Sequence, residues 1–121
     1  MAAKSASPAQ LKPRFRVVCG KEIAIGPGKM ELLAALVETR SLTDAARRLG
    51  MSYMRAWTLI HTMNHHFREP VVAAERGGKR GGGTTVTQTG HRVLELYRHM
   101  ESAALKSAAD PWRQLQELLR R

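Results

Sequence analysis

Leu42 to Phe67, LTDAARRLGMSYMRAWTLIHTMNHHF, is the stretch whose reading decides the fold. Thr43 is a side chain that can accept an orphan backbone N–H, and Asp44 beside it suits the positive end of a helix. The pattern therefore predicts a short helix from Asp44 to Leu49, stopped by Gly50, a residue that readily takes the left-handed conformation. Ser52 then caps a longer helix reaching to about Phe67. Along it Ala56, Ile60, Met63 and Phe67 recur at i, i+4, i+7 and i+11 and draw one buried face. The following Glu69-Pro70 ends it, since the residue before proline is pushed out of the helical region. Ala45 and Ala46 are small enough to let two helices approach closely, Gly50 permits the turn, and Met51 can plug the angle between them. This is the layout of a helix-turn-helix, in which the second helix is presented to a DNA major groove wide enough to admit it.

The flanks extend that unit. Arg14 to Ala24 holds two β-prone stretches around Cys19-Gly20-Lys21, and Phe15, Val17, Ile23 and Ile25 fall on a period of two, as in a half-buried hairpin. After Gly26-Pro27-Gly28, Lys29 to Arg40 reads as a helix with Met30, Leu33, Ala34 and Val37 on one stripe and Leu36 at its edge; Ser41 ends it. Downstream, Val71 to Glu75 and the β-branched Thr84 to Thr87 predict a hairpin, joined by the glycine-rich Gly77 to Gly83. A helix from Gln88 to Ala104, capped by Thr87, carries Val93, Leu94, Tyr97, Met100, Ala104 and Leu105 on its apolar side. Asp110-Pro111 reads as a cap followed by proline at the first helical position, so a last helix should run from Pro111 to about Leu119. The expected fold is mainly α with a small β component: a winged helix-turn-helix with an N-terminal β-hairpin, a wing hairpin and C-terminal dimerisation helices. Met1 to Pro13 is expected to be a flexible basic arm, Arg14 to Leu105 the DNA-binding domain, and Lys106 to Arg121 a C-terminal helix serving dimerisation.

Composition agrees. The chain has 121 residues, 43% of them hydrophobic, enough for one core. Its formal net charge of +10, from 20 Lys and Arg against 10 Asp and Glu, repels itself in the free protein and suits a polyanionic partner. Between Thr43 and Arg92 the count is eight Lys/Arg against three Asp/Glu, so the excess extends to the helix-turn-helix and its wing. The lone Cys19 excludes an intramolecular disulfide. No apolar run approaches the roughly 18 to 20 residues of a membrane span, and Met1 to Pro13 lacks the apolar core of a secretory signal. The expected setting is the bacterial cytoplasm, without membrane association. Neither glycine cluster has the spacing of a phosphate-binding loop, and no Ser-His-acid set presents itself, so catalysis and a cofactor are not expected.

The face of the second helix opposite its buried stripe should touch DNA through Ser52, Tyr53, Arg55, Thr58, His61 and Thr62. Arg55 is the candidate for bidentate contact with guanine, while Ser52, Tyr53 and Thr58 suit phosphate or mixed contacts. Arg47, on the first helix, joins the set. Lys79 and Arg80 at the glycine-rich tip can neutralise phosphate or enter the minor groove. Trp57 is expected to pack over the turn, with the DNA backbone as its alternative. The spacing of His61 and His65 also admits a shared metal ion, an alternative weakened by the want of a nearby Cys or carboxylate. A second alternative is a nucleoid-type binder without sequence preference. Val93, Leu94, Tyr97 and Met100 are the expected dimer contacts.

The segments IGPGKMELLAALVETRSLTDAARRLGMSYMRAWTLIHTMN, FREPVV and GGKRGGGTTVTQTG, in that order, resemble the DNA-binding domain of the ModE family of molybdate-responsive regulators, related to the helix-turn-helix of LysR-type regulators. The resemblance covers about Arg14 to Met100. It implies a winged helix, a homodimer and an inverted-repeat operator in double-stranded DNA. In that family a separate C-terminal β-rich domain binds the oxyanion; nothing in this sequence resembles it, so no molybdate ligand is carried over and the effector is left unassigned.

Overall fold

The computed structural model describes residues 8–74 and 83–120. The chain opens with an antiparallel hairpin, β1 (Val17–Cys19) and β2 (Glu22–Ile25), turned at Gly20, whose φ of 64° lies in the left-handed region. Its burial departs from simple alternation. Ala24 and Ile25 are buried and Phe15 is partly so, whereas Val17 and Ile23 lie exposed. A register shift between Val17 and Val18 breaks the period of two that the sequence suggested.

Helix α1 (Pro27–Thr39) begins with proline in its first turn, where a missing N–H is harmless. It is the central element, packed against β2, α2, α3, β4 and α4. A helix covered on several sides has no single stripe. Met30, Leu32, Leu33, Ala35 and Leu36 are buried, Ala34 is half-buried and Val37 is exposed, which corrects the expected stripe through Val37. The helix ends at Arg40, a non-glycine residue at φ 56°, whose N–H donates to Leu36 O at 2.9 Å. Helix α2 (Leu42–Arg48) starts earlier than Thr43 suggested. Its cap is Ser41, whose Oγ accepts the Asp44 N–H at 3.1 Å. Moving the cap two residues back places Leu42 in the core and leaves Thr43 exposed in the first turn. Gly50, at φ 69°, turns the chain, and Ser52 caps α3 (Tyr53–His66) by accepting the Arg55 N–H at 3.0 Å.

Ala45, Ala46 and Ala56, all fully or nearly fully buried, bring α2 and α3 together. Strands β3 (Val72–Ala74) and β4 (Thr84–Val86) pair antiparallel, Val72 opposite Val86 and Ala74 opposite Thr84. The Thr84 N–H donates to Arg40 O at 3.3 Å and ties this hairpin to the α1–α2 corner. Helix α4 (Gln88–Ser107) is capped by Thr87, whose Oγ1 accepts the Gly90 N–H at 3.0 Å and donates to Pro70 O at 2.6 Å. Gly90 sits so close to β3 that an added Cβ would lie 2.1 Å from Val71 O. Helix α5 (Ala109–Leu118) starts before Asp110, with no side-chain cap; Asp110 instead pairs with Arg113 at 2.8 Å within the first turn. One core, from Ile25 to Tyr97, serves the whole arrangement, and α5 contributes no buried residue to it.

Candidate nucleic-acid interface

Helix α3 is held from behind and from its end. Ala56, Ile60 and Met63 sink into the core, as their spacing requires. Asn64 adds a polar anchor. Its Oδ1 accepts the N–H groups of Val71 (2.7 Å) and Val72 (3.2 Å), and its Nδ2 donates to Val72 O at 3.0 Å. One amide thereby satisfies three backbone groups and locks the reading helix to the first strand of the wing. His66 Nε2 lies 2.9 Å from Glu22 Oε1 and joins the helix end to β2.

The opposite face is left open. Met54, Thr58, His61 and His65 follow i, i+4, i+7 and i+11 along it, all exposed. Arg55 is exposed beside them, and its guanidinium makes no ion pair among the described residues. Tyr53, half exposed, lines a shallow cleft with Arg40, Ser41, Thr43, Gly83 and Thr84, so the first turn of α3 lies next to the base of the wing. Ser52 and Thr62 are less free than their positions suggested. The Ser52 hydroxyl serves as the cap, and the half-buried Thr62 hydroxyl donates to Leu59 O at 3.1 Å. Arg47 is exposed at the end of α2, 3.5 Å from Asp44 Oδ1, a separation that hardly holds it. Lys79 and Arg80 lie outside the described residues.

One residue of this face escaped the sequence reading, and Trp57 departs from its expected packing. Trp57 is not packed over the turn; it is 45% exposed and stacks on His61 with ring centroids 4.9 Å apart and planes 7° from parallel. Met54, 65% exposed, was passed over altogether. The signal existed in the wheel, since 54 and 57 both fall away from the 56/60/63 stripe.

The chain matches the family model described as bacterial regulatory helix-turn-helix protein, lysR family, over residues 28–91. It belongs to that family. The match runs from the start of α1 into α4 and so contains the helix-turn-helix and the wing hairpin of this lysR-type domain. The chain is also similar to molybdenum-pterin-binding protein MopB of Rhodobacter capsulatus, with 39% identity over 82 residues, 68% of this chain and 30% of that protein. It is 38% identical over 78 residues to molybdenum transport protein ModE of Azotobacter vinelandii, covering 64% of this chain and 29% of the relative. Against the DNA-binding transcriptional dual regulator ModE of Escherichia coli it is 35% identical over 71 residues, 59% of this chain and 27% of the relative. The match therefore spans less than a third of the length of these relatives.

The expected dimer contacts of the lysR-type domain change with the structure at two residues. Leu94 and Tyr97 are not open for dimer contacts. They are 7% and 3% exposed in the protomer's own core, and the Tyr97 hydroxyl donates to Phe15 O at 2.8 Å, across 82 residues of sequence. Burial raises the Tyr97 phenol pKa above its ordinary value. Val93 is half-buried, and Met100 is exposed. The core ends where α4 outruns it: past Tyr97, Met100 and Leu105 are about two-fifths exposed, and Leu115, Leu118 and Leu119 on and beyond α5 are more so or equally so. As for metal, no group of three or more His, Cys, Asp or Glu side chains gathers among the described residues. His61 and His65 would supply two ligands where a structural zinc takes four. No helix among the described residues is long and apolar enough to cross a membrane.

Proposed function

We propose that this chain is a sequence-specific DNA-binding transcriptional regulator that acts as a homodimer on an inverted-repeat operator. Helix α3 enters the major groove with Tyr53, Arg55, Thr58 and His61 toward the base edges, and Arg47 lies toward the flanking phosphates. Ser52 and Thr62 fix the helix more than they read DNA. Lys79 and Arg80, between β3 and β4 in the sequence, are proposed to contact the adjacent backbone. The observation that carries this reading is the open outer face of α3, held by Asn64 against the wing base, where Arg55 has no ion-pair partner among the described residues. Family membership and a net charge of +10 point the same way. Its role is binding rather than catalysis, and its place is the bacterial cytoplasm, at the nucleoid.

The dimer is proposed to form through apolar residues left at least partly open by the core: Val93 and Met100 with Leu105 on α4, extended by Leu115 and Leu119. A two-fold pair of such domains reads a pseudo-palindrome. Selection of bound fragments from random duplex DNA at physiological salt tests the proposal. The expected result is an inverted repeat preferred about a thousandfold over a scrambled duplex. Binding without an enriched motif, collapsing as salt rises, would instead identify a general, phosphate-driven DNA binder.

A further inference from the structure

The outer face of α3 is short of the groups that usually read bases. The helix contains no Gln, Asp or Glu. Its one Asn, Asn64, has both side-chain atoms engaged by the strand at Val71 and Val72. Adenine is ordinarily read by a bidentate Asn or Gln, and the cytosine amino group by a carboxylate. Neither partner is offered here. Ser52 and Thr62 turn their hydroxyls to backbone groups. What remains polar is the Arg55 guanidinium, suited to guanine, together with the less selective Thr58, His61, His65 and Tyr53 hydroxyl.

Beside them lies an apolar surface that the fold does not cover. Met54 is 65% exposed, Tyr53 50% and Trp57 45%, all within two turns at the end of the helix that leads into the groove. Trp57 stacks flat against His61, a contact that orients its ring. Along the base edges of the major groove only one feature is apolar, the C5-methyl group of thymine. Resting on the proposed DNA-binding role, we infer that Met54 and Trp57 are specificity-determining residues that select thymine by packing against its methyl group. Arg55 supplies the guanine in the same half-site. Each half-site is therefore read through a guanine and thymine methyl groups, with one charged contact and two apolar contacts from the first two turns of α3.

The test uses the full chain and the duplex obtained by selection. Each thymine of one half-site is replaced in turn by uracil, which removes the methyl and leaves the hydrogen-bonding edge intact. Burial of one methyl-sized group corresponds to about a fourfold change in affinity. At one or two thymines within the half-site the wild-type protein should lose about that factor. Met54→Ala and Trp57→Ala should each bind the thymine duplex more weakly and lose the distinction between thymine and uracil at one of these positions. Unchanged unfolding curves for both variants are expected, because both side chains are exposed, and they separate the effect from misfolding. Equal affinity for thymine and uracil at every position overturns the inference while leaving sequence-specific binding intact. So does a selected half-site without thymine, or a methyl effect that survives in both variants. Absence of any sequence preference overturns the DNA-reading proposal itself, and this inference with it.

Discussion

Replacing Gly90 by alanine places a methyl group where the fold has no room for one. The new Cβ would lie 2.1 Å from Val71 O, 2.7 Å from Val86 Cγ1 and 3.0 Å from the Val71 carbonyl carbon. Two of the three atoms are backbone, so no side-chain rotation relieves the clash. The strand must move by about 1 Å, a figure of the order that restores ordinary packing distances. That carbonyl also accepts the Thr87 N–H at 3.0 Å, and the Val71 N–H is held by Asn64 at 2.7 Å, so the shift strains both bonds. Overpacking of this kind costs about 1 to 3 kcal/mol, and each weakened hydrogen bond about 1 kcal/mol. Alanine returns at most about 1 kcal/mol through its better helix propensity. The expected net loss is about 2 to 4 kcal/mol, equivalent to a fall in Tm of roughly 10 °C or more for a domain of this size. Urea unfolding followed by circular dichroism measures it. Gly28→Ala is the matched control: it lies in the first turn of α1, nothing stands within 4 Å of its added Cβ, and it should be neutral or stabilising by up to about 1 kcal/mol. A Gly90→Ala variant as stable as the control would refute the close seating of α4 on the wing.

Asn64→Ala removes three hydrogen bonds and leaves the Val71 and Val72 N–H groups without their partner; a loss of about 2 to 3 kcal/mol in chemical denaturation and weaker DNA binding are expected. Arg40→Gly relieves a left-handed non-glycine residue at the end of α1, and a gain of up to about 1 kcal/mol should appear as a higher Tm. Paired Met100→Glu and Leu105→Glu should give a folded monomer by sedimentation with operator binding reduced at least tenfold, an order set by losing the second half-site; a variant that still sediments as a dimer defeats the placement of the interface.

Much of the fold was legible because its decisive signals are local. The 56/60/63 stripe, the Gly50 turn, the Ser52 and Thr87 caps and the β-branched Thr84–Val86 each declare their structure within a few residues. The larger misreadings share a cause, since they depend on partners outside the element being read. Whether Leu94 and Tyr97 face a core or a second copy is decided by Phe15 and the central α1. The breadth of burial on α1 follows from the number of elements around it, which no single stripe announces. Asn64 reads as one more polar residue on a helix until its amide is seen to bridge Val71 and Val72. The cap of α2 falls at Ser41 rather than Thr43 because Leu42 must reach the core from within the helix.

The division of α3 into an anchored inner face and an idle outer one has a consequence for how such a protein changes over time. Ala56, Ile60, Met63 and Asn64 hold the helix in place, while Met54, Trp57, Thr58 and His61 have little part in keeping it folded. Surface substitutions remote from packing and capping usually alter stability by less than about 0.5 kcal/mol. Mutation can therefore explore new operators at the outer positions with almost no penalty to the scaffold. Binding specificity and folding are inherited through separate sets of residues on the same fourteen-residue helix.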